Sequence, residues 1–218
     1  MTMTAGAAWL NSTFGVFDQT VTQAIHGLYE ACGSWMTPIM EFISLLGKGG
    51  IALIILSLIW LVYRPTRRYG TAMIIGLALG AVLVNVWLKV VIARPRPYAD
   101  VEGFFYPLWV MLGSHMESDF SFPSGHTNAA FATMVPLFIL GKKKWSWLAL
   151  VFGVLMGISR IYLVVHFPSD VIGGMLTGTF AGVIGTLITL RIPGSSRWYG
   201  WGPGGTGKKV RKGSHEAA

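Results

Sequence analysis

The chain has 218 residues, of which 53% are hydrophobic and only 12% are charged, and its mean hydropathy is +0.57. A soluble domain usually carries about 25% charged residues, so this composition excludes an ordinary soluble domain and indicates a lipid environment. The net charge is +8, and the single cysteine, Cys32, excludes an internal disulfide and any cysteine-based metal site.

Residues 1–47 mix apolar and polar positions. Asp18, Glu30 and Glu41 interrupt every apolar run, so no stretch of about 20 apolar residues exists there. The helical spacing of the apolar side chains predicts one or two amphipathic helices that lie at the membrane interface. The alternative is a first spanning helix of poor apolar character.

Five apolar stretches follow, and each predicts a membrane-spanning helix. They cover approximately residues 46–63, 71–93, 123–140, 145–165 and 168–190. A polar, aromatic loop over residues 98–122 separates the second stretch from the third, and residues 192–218 form a basic, glycine-rich tail. The predicted fold is therefore an all-α integral membrane bundle, with the spanning domain at 48–191 and interfacial amphipathic helices before it.

Basic residues collect at one end of the predicted spans. If the five spans alternate in direction, these residues fall on the side that the positive-inside rule makes cytoplasmic. They are Arg64, Arg67, Arg68, Lys142, Lys143, Lys144, Arg191, Arg197, Lys208, Lys209, Arg211 and Lys212. The basic charge thus reflects topology and suits anionic lipid headgroups, so we do not expect a nucleic-acid partner.

Small residues recur every four positions on two of the predicted spans. Gly76 and Gly80 form one such row, and Gly174, Gly178 and Gly182 form the other. Rows of this kind allow helix backbones to approach closely, so we interpret them as packing surfaces and not as cofactor sites.

The cations toward the opposite end of the spans are Lys48, Lys89, Arg94, Arg96 and Arg160. Lys89, Arg96 and Arg160 are predicted at one depth, where they repel each other unless an anion joins them. Arginine forks match the paired oxygens of a phosphate group. The alternative is that each side chain extends separately to the headgroups, and Arg94 is interpreted in that way, without a functional role.

The segment Pro123-Ser124-Gly125-His126 stands at the start of the third predicted span. Proline, a hydroxyl and a glycine are typical of a helix N-terminus, where free backbone amides bind anions. A plain helix cap accounts for Ser124 but not for His126.

Two histidines accompany the cations at this end of the spans. His126 and His166 can each give or take a proton, and a neutral histidine can attack phosphorus. Asp170, four residues after His166, begins the fifth predicted span and can fix the tautomer of that imidazole. Because cations surround the histidines and cysteine ligands are lacking, we expect no metal and no cofactor.

These residues resemble the signature of the type 2 phosphatidic acid phosphatase superfamily, which includes lipid phosphatases and vanadium haloperoxidases. The three parts of that signature are K-x6-R-P, P-S-G-H and S-R-x5-H-x3-D. They are matched in order by Lys89 to Pro97, by Pro123 to His126, and by Ser159 to Asp170.

The resemblance implies roles for the matched residues. His166 would be the nucleophile, Asp170 its orienting partner, and His126 the acid that protonates the leaving group. The phosphoryl oxygens would be bound by the remaining residues of the signature, which are Lys89, Arg96, Ser124, Gly125 and Arg160. Integral members of this superfamily usually have six spans, so the resemblance implies one span more than the five predicted.

The sequence therefore predicts a metal-independent phosphatase in the plasma membrane of a bacterium, with its site on the extracytoplasmic face. Its expected partners are the membrane and a lipid phosphate or diphosphate, namely undecaprenyl diphosphate, phosphatidic acid or phosphatidylglycerol phosphate. A homo-oligomer is compatible with the sequence. The alternatives are a vanadate-dependent haloperoxidase and a non-catalytic protein that binds or transports lipid.

Overall fold

The structure, a computed structural model, describes residues 3–193, which form α-helices joined by short loops. In chain order the helices are α1 (Ala5–Cys32), α2 (Met36–Gly47), α3 (Ile51–Val62), α4 (Arg67–Ala81), α5 (Lys89–Ile92), α6 (Phe105–Met111), α7 (Gly125–Leu140), α8 (Lys143–Tyr162) and α9 (Pro168–Arg191). No β-strand occurs within this range, so the predicted all-α fold is confirmed. The predicted basic tail lies outside the described residues from position 194 onward.

Four helical segments of the described chain are long and apolar enough to cross a membrane. They are Met36–Val62, Arg64–Ala99, Lys143–Tyr162 and Pro168–Arg191. The remaining predicted span corresponds to α7, whose 16 residues extend about 24 Å, less than the hydrocarbon thickness of about 30 Å. The count of five spans therefore stays a prediction at α7.

The short helix α7 lies at the centre of the bundle, between α4, α8 and α9. Glycines allow this close packing, as the two predicted rows require. A Cβ atom at Gly76 would lie 2.6 Å from the carbonyl oxygen of Ala132, and one at Gly178 would lie 2.4 Å from that of Asn128. Both distances are shorter than a van der Waals contact, so a larger side chain at either position would force α4 or α9 away from α7.

The N-terminal part differs from the sequence prediction at α2. This helix continues through a short 3-10 turn into α3 as one candidate span, whereas the sequence placed it in the interfacial part. The apolar side chains of Ile39, Phe42 and Leu45 are largely exposed, which suits contact with lipid tails. The helix α1, by contrast, is not among the candidate spans and packs on α8 and α9.

The chain between α4 and α5 forms a π-helical stretch over Val82–Leu88. Such widened turns rotate the side chains that follow and often occur at functional sites. Here the stretch directly precedes Lys89, the first ionisable residue of the predicted site.

Candidate active site

Lys89, Arg96 and Arg160 are buried at one end of the bundle, with exposed fractions of 5%, 7% and 3%. We call these three residues the cationic cluster. They come from three separate elements, because Lys89 lies on α5, Arg96 on the following loop and Arg160 near the end of α8. Buried cations are costly unless each is paired, so the partners of the cluster decide what the site can bind.

Two carboxylates of the loop before α7 pair with the cationic cluster. Asp119 forms ion pairs with Lys89 and Arg96, and Glu117 forms one with Arg160. Burial opposes ionisation of Asp119, but the pairing with Lys89 and Arg96 outweighs it and holds the pKa of the Asp119 carboxyl below its ordinary value. The cluster therefore holds internal anions at the positions where phosphoryl oxygens are predicted.

The imidazole of His166 faces the cationic cluster through Nε2. Arg96 Nη1 lies 2.9 Å from this nitrogen and also donates to the carbonyl oxygen of Val165. A guanidinium only donates, so His166 Nε2 must accept, and its proton resides on Nδ1. The lone pair of Nε2 that accepts this hydrogen bond is the one predicted to attack phosphorus, so Arg96 must release it before the attack.

His166 lies in the turn between α8 and α9, outside both membrane-spanning helices, and is 2% exposed. Burial, followed by the charges of Arg96 and Arg160, lowers the pKa of the His166 imidazole well below its ordinary value. The neutral form that nucleophilic attack requires is therefore favoured.

Asp170 and Ser121 lie on the Nδ1 side of His166. The Asp170 Oδ2 atom is 3.6 Å from Nδ1, and the Ser121 hydroxyl is 3.5 Å from Nδ1 and 2.5 Å from Oδ2. The same carboxylate oxygen accepts the backbone N–H of Phe167, the residue before α9, which is the bond that the third helical residue makes in a capping box. Asp170 is thereby held in place behind the ring, as its predicted orienting role requires.

The predicted anion-binding helix start is the beginning of α7. Ser124 is its N-cap and accepts from the backbone of Thr127, so the plain capping interpretation of Ser124 holds in this structure. Gly125 and His126 form the first turn. A Cβ atom at Gly47 of α2 would lie only 2.7 Å from the His126 ring, so glycine at that position allows α2 to approach His126.

Arg94 contradicts the sequence interpretation, which assigned it to the headgroups without a role. Its side chain is 1% exposed and forms ion pairs with Asp170, at 2.6 Å, and with Asp18 of α1, at 2.8 Å. The guanidinium also lies 3.9 Å from the centre of the Phe167 ring. The reason is local, because Ala93 adopts a left-handed conformation that ends α5 and turns the chain inward.

Two residues beside the site adopt positive φ values although neither is glycine. Ala93, with φ of 48°, precedes Arg94, and Val164, with φ of 53°, precedes Val165 and His166. Left-handed conformations cost about 1 kcal/mol or more for residues with a Cβ atom. Each turn directs the side chain that follows it, Arg94 or His166, into the bundle.

A cavity of about 600 Å³ leads away from the two histidines and from Lys89 and Arg96 of the cationic cluster. Its far part, which we call the apolar groove, runs between α3 and α4 and is lined by Ile54, Leu58, Ile74, Leu77, Ala78 and Ala81. Ile54 and Leu58 are 44% and 46% exposed on a candidate membrane span. The groove therefore opens toward the lipid.

Within residues 3–193, no group of three or more histidine, cysteine, aspartate or glutamate side chains could hold a metal ion. In the same range, Arg160 Nε is buried without a hydrogen-bond partner, and buried donors normally find one. A phosphoryl oxygen is an acceptor that would satisfy it.

The structure brings every predicted site residue to one end of the bundle, and their catalytic roles stay predictions. Sequence reasoning missed Ser121, Glu117, Asp119, Gly47 and Asp18. A usable signal existed for Asp119 and Ser121, which directly precede the Pro123–His126 segment. Asp18 and Gly47 had no such signal, since they are remote from the motifs along the chain.

Comparison with known proteins identifies the family of this chain. The family model for the PAP2 superfamily matches residues 66–192, more than half of the chain. The chain belongs to the PAP2 superfamily. The predicted resemblance is thus confirmed over a range that contains all three motifs.

Several relatives in the PAP2 superfamily are phosphatases. An undecaprenyl-diphosphatase of Sulfolobus acidocaldarius is 33% identical over 65% of this chain and 65% of its own length. An undecaprenyl-diphosphatase of Bacillus subtilis is 32% identical over 75% of this chain and 80% of its own length. Phosphatidylglycerophosphatase B of the same organism is 37% identical over 66% of this chain and 70% of its own length.

Solved structures of membrane relatives share the fold. A PAP2-type phosphatidylglycerolphosphate phosphatase from Bacillus subtilis superimposes with a TM-score of 0.66 and 28% identity, over 88% of this chain and 94% of that one. LpxE of Aquifex aeolicus superimposes with a TM-score of 0.61 and 27% identity, over 75% of this chain and 92% of that one. Together, the PAP2 family and these relatives support hydrolysis of a lipid phosphate.

The pairing of Asp119 with the cationic cluster yields a test. Replacing Asp119 by asparagine removes an anion that a phosphate must displace from Lys89 and Arg96. We expect vanadate, a phosphate analogue, to bind more tightly by about 1.5-fold to fivefold, the range for a partly exposed ion pair. The measurement is the inhibition constant of vanadate at constant ionic strength.

The matched control is Asp100→Asn, which removes an exposed carboxylate from the same loop and should leave the inhibition constant unchanged. Weaker vanadate binding by Asp119→Asn would contradict displacement, and would mean that Asp119 orders the cations for the ligand.

Proposed function

We propose that this PAP2 protein removes the terminal phosphate from a lipid phosphate or diphosphate that enters the site from the membrane. The observation that carries the proposal is the apolar groove, which opens toward lipid at one end and reaches Lys89 and Arg96 of the cationic cluster at the other. An acyl or polyprenyl chain fits the groove by its chemistry, and the phosphate fits the cluster.

Among the three candidate substrates, we place undecaprenyl diphosphate first. Two of the relatives described above carry undecaprenyl-diphosphatase activity in their names, and a polyprenyl chain requires only one groove. The phosphatidylglycerophosphatase relative keeps phosphatidylglycerol phosphate as the second candidate, followed by phosphatidic acid.

Catalysis would proceed in two steps. His166 Nε2 attacks phosphorus, the bond from phosphorus to the leaving oxygen breaks, and His126 transfers a proton to that oxygen. Water then attacks the phosphohistidine, releasing phosphate and restoring His166, while His126 accepts a proton from the water. The cationic cluster stabilises the charge on the phosphoryl oxygens in both steps, and the charge of the bound phosphate favours protonated His126.

Phosphate release from a panel of substrates tests the proposed activity. We expect release from undecaprenyl diphosphate and weaker release from phosphatidylglycerol phosphate and phosphatidic acid. Activity should persist in EDTA, since cations of the protein take the place of a metal. Faster release from glucose 6-phosphate than from any lipid, or a loss in EDTA that Mg²⁺ restores, would contradict the proposal.

A variant of the apolar groove tests whether lipid substrates bind there. Ala78→Phe fills the groove and should raise the KM for lipid substrates while leaving that for p-nitrophenyl phosphate unchanged. Leu79→Phe, one residue along on the exposed surface of α4, is the matched control and should affect neither substrate.

We also propose that the protein lies in a bacterial plasma membrane with the site on the extracytoplasmic face. The one-sided distribution of lysine and arginine supports this orientation. In a Cys32→Ser background, Val101→Cys in the loop near the site should react with an impermeant maleimide on intact cells. Lys142→Cys, between α7 and α8, should react only after lysis, and the reverse pattern would invert the topology.

The two histidines should respond differently to the leaving group. His166→Ala should abolish turnover of all substrates, because no covalent intermediate can form. His126→Ala should lower turnover by about 10²- to 10⁴-fold for an alkoxide leaving group. The loss of turnover should be much smaller for an aryl phosphate with electron-withdrawing substituents, because its leaving group needs no proton.

Turnover numbers for both substrate types, corrected for folded protein, make this comparison. A diphosphate should fall between the two types, since phosphate leaves more easily than alkoxide. If His126→Ala were equally inactive on all substrates while His166→Ala retained turnover, the two roles would be reversed.

A further inference from the structure

A buried ion network joins the N-terminal helix to the site behind His166. It consists of Asp18 on α1, Arg94 after α5, and Ser169 and Asp170 in the first turn of α9. The side chains of Asp18, Arg94 and Asp170 are 1%, 1% and 0% exposed. This degree of burial for three charges is costly and is not needed to attach a surface helix.

Asp18 is fixed by contacts to both of its oxygens. Oδ1 accepts the backbone N–H of Ser169 at 2.8 Å, and Oδ2 accepts the Ser169 hydroxyl and Arg94 Nη2, each at 2.8 Å. The amide belongs to the first turn of α9, where a carboxylate also suits the helix dipole. Asp18 therefore holds Arg94 and the start of α9 in one arrangement.

Arg94 in turn holds the carboxylate that faces His166. Its Nη1 donates to Asp170 Oδ1 at 2.6 Å and to the Ser169 hydroxyl at 2.8 Å, while Nε donates to Asn11 of α1. Because Arg94 occupies Oδ1, the other oxygen of Asp170 is left for Ser121, Phe167 and the Nδ1 side of His166.

The charges of the network matter for phosphoryl transfer. Asp18 and Asp170 share one guanidinium, so the network carries one net negative charge beside His166. When His166 Nε2 bonds to phosphorus, its ring becomes positively charged, and a negative charge behind the ring stabilises it. Without Asp18, the whole charge of Arg94 would act on Asp170 and cancel that effect.

We propose that Asp18 and Arg94 are positioning residues for the proposed phosphatase reaction, acting on His166 through Asp170. The helix α1 thereby becomes part of the catalytic apparatus. The inference rests on the proposed function, because it concerns the rate at which His166 attacks a phosphate ester. It assigns to Arg94 a task separate from that of the cationic cluster, since Arg94 pairs on the far side of the imidazole.

Asp18→Asn in the full-length protein tests the proposal. We expect kcat to fall by about 10- to 100-fold, the range for a misplaced catalytic group. The KM for lipid phosphate and the vanadate inhibition constant should change less than about twofold, because the cationic cluster is untouched. Rapid-quench measurement should show slower formation of the phosphohistidine, not slower hydrolysis alone.

Glu30→Gln is the matched control, because it removes a carboxylate from an exposed position of the same helix, and it should keep the kcat of the wild type. Arg94→Lys retains one positive charge but cannot bridge two carboxylates with the same geometry. It should reproduce the loss in kcat with vanadate binding retained.

A purely structural role predicts other results. Asp18→Asn would then have normal kcat per folded molecule, or would lose vanadate affinity along with turnover, and either result overturns the proposal. If the variant does not fold, Asn11→Ala decides, since it removes only one acceptor of Arg94. A fall in kcat of about threefold or more at constant KM supports the proposal, and an unchanged kcat overturns it.

Failure of the proposed function is a separate result. It would be seen as the absence of phosphate release by the wild-type protein from every lipid in the panel. In that case no variant comparison would be made on the lipids, and p-nitrophenyl phosphate would serve as the substrate for Asp18→Asn.

Discussion

Mutual repulsion of three buried cations is the constraint on which the rest of this structure depends. Lys89, Arg96 and Arg160 approach one another only because Asp119 and Glu117 offset their charge. The same constraint underlies the proposed chemistry, since the phosphate dianion of a substrate would take the place of those carboxylates. The helices α5 and α8 and the loop after α5 hold these three cations at one end of the bundle.

Charge is also separated across the imidazole of His166. On the Nε2 side lie the cations that we propose bind the phosphoryl group, and on the Nδ1 side lies a network with one excess negative charge. A ring between a positive and a negative region is set up to develop positive charge as it bonds to phosphorus. Arg94 and Arg96 are two residues apart in the chain, yet they act on opposite sides of this ring.

How much of this arrangement the sequence predicts depends on how far apart the contacting residues lie along the chain. The motif residues could be found because their spacing places them at one end of alternating spans. Asp18 could not, because its contact with Ser169 joins positions 151 residues apart. The direction of the Arg94 side chain depends on a left-handed conformation at Ala93. A glycine at this position would have indicated such a conformation, but an alanine does not. The helix α7 was predicted as an ordinary span because the pattern of apolar residues does not reveal that neighbouring helices surround it.

Under the proposed function, the lateral opening of the apolar groove determines which substrate concentration governs turnover. A substrate whose chain stays among the lipid tails meets the site by diffusion within one leaflet, so the relevant quantity is its mole fraction in that leaflet. Adding more bilayer or more detergent at a fixed amount of substrate dilutes it in two dimensions and slows turnover, although its bulk concentration is unchanged. The turnover of such a lipid therefore reports the composition of the membrane around Ile54 and Leu58.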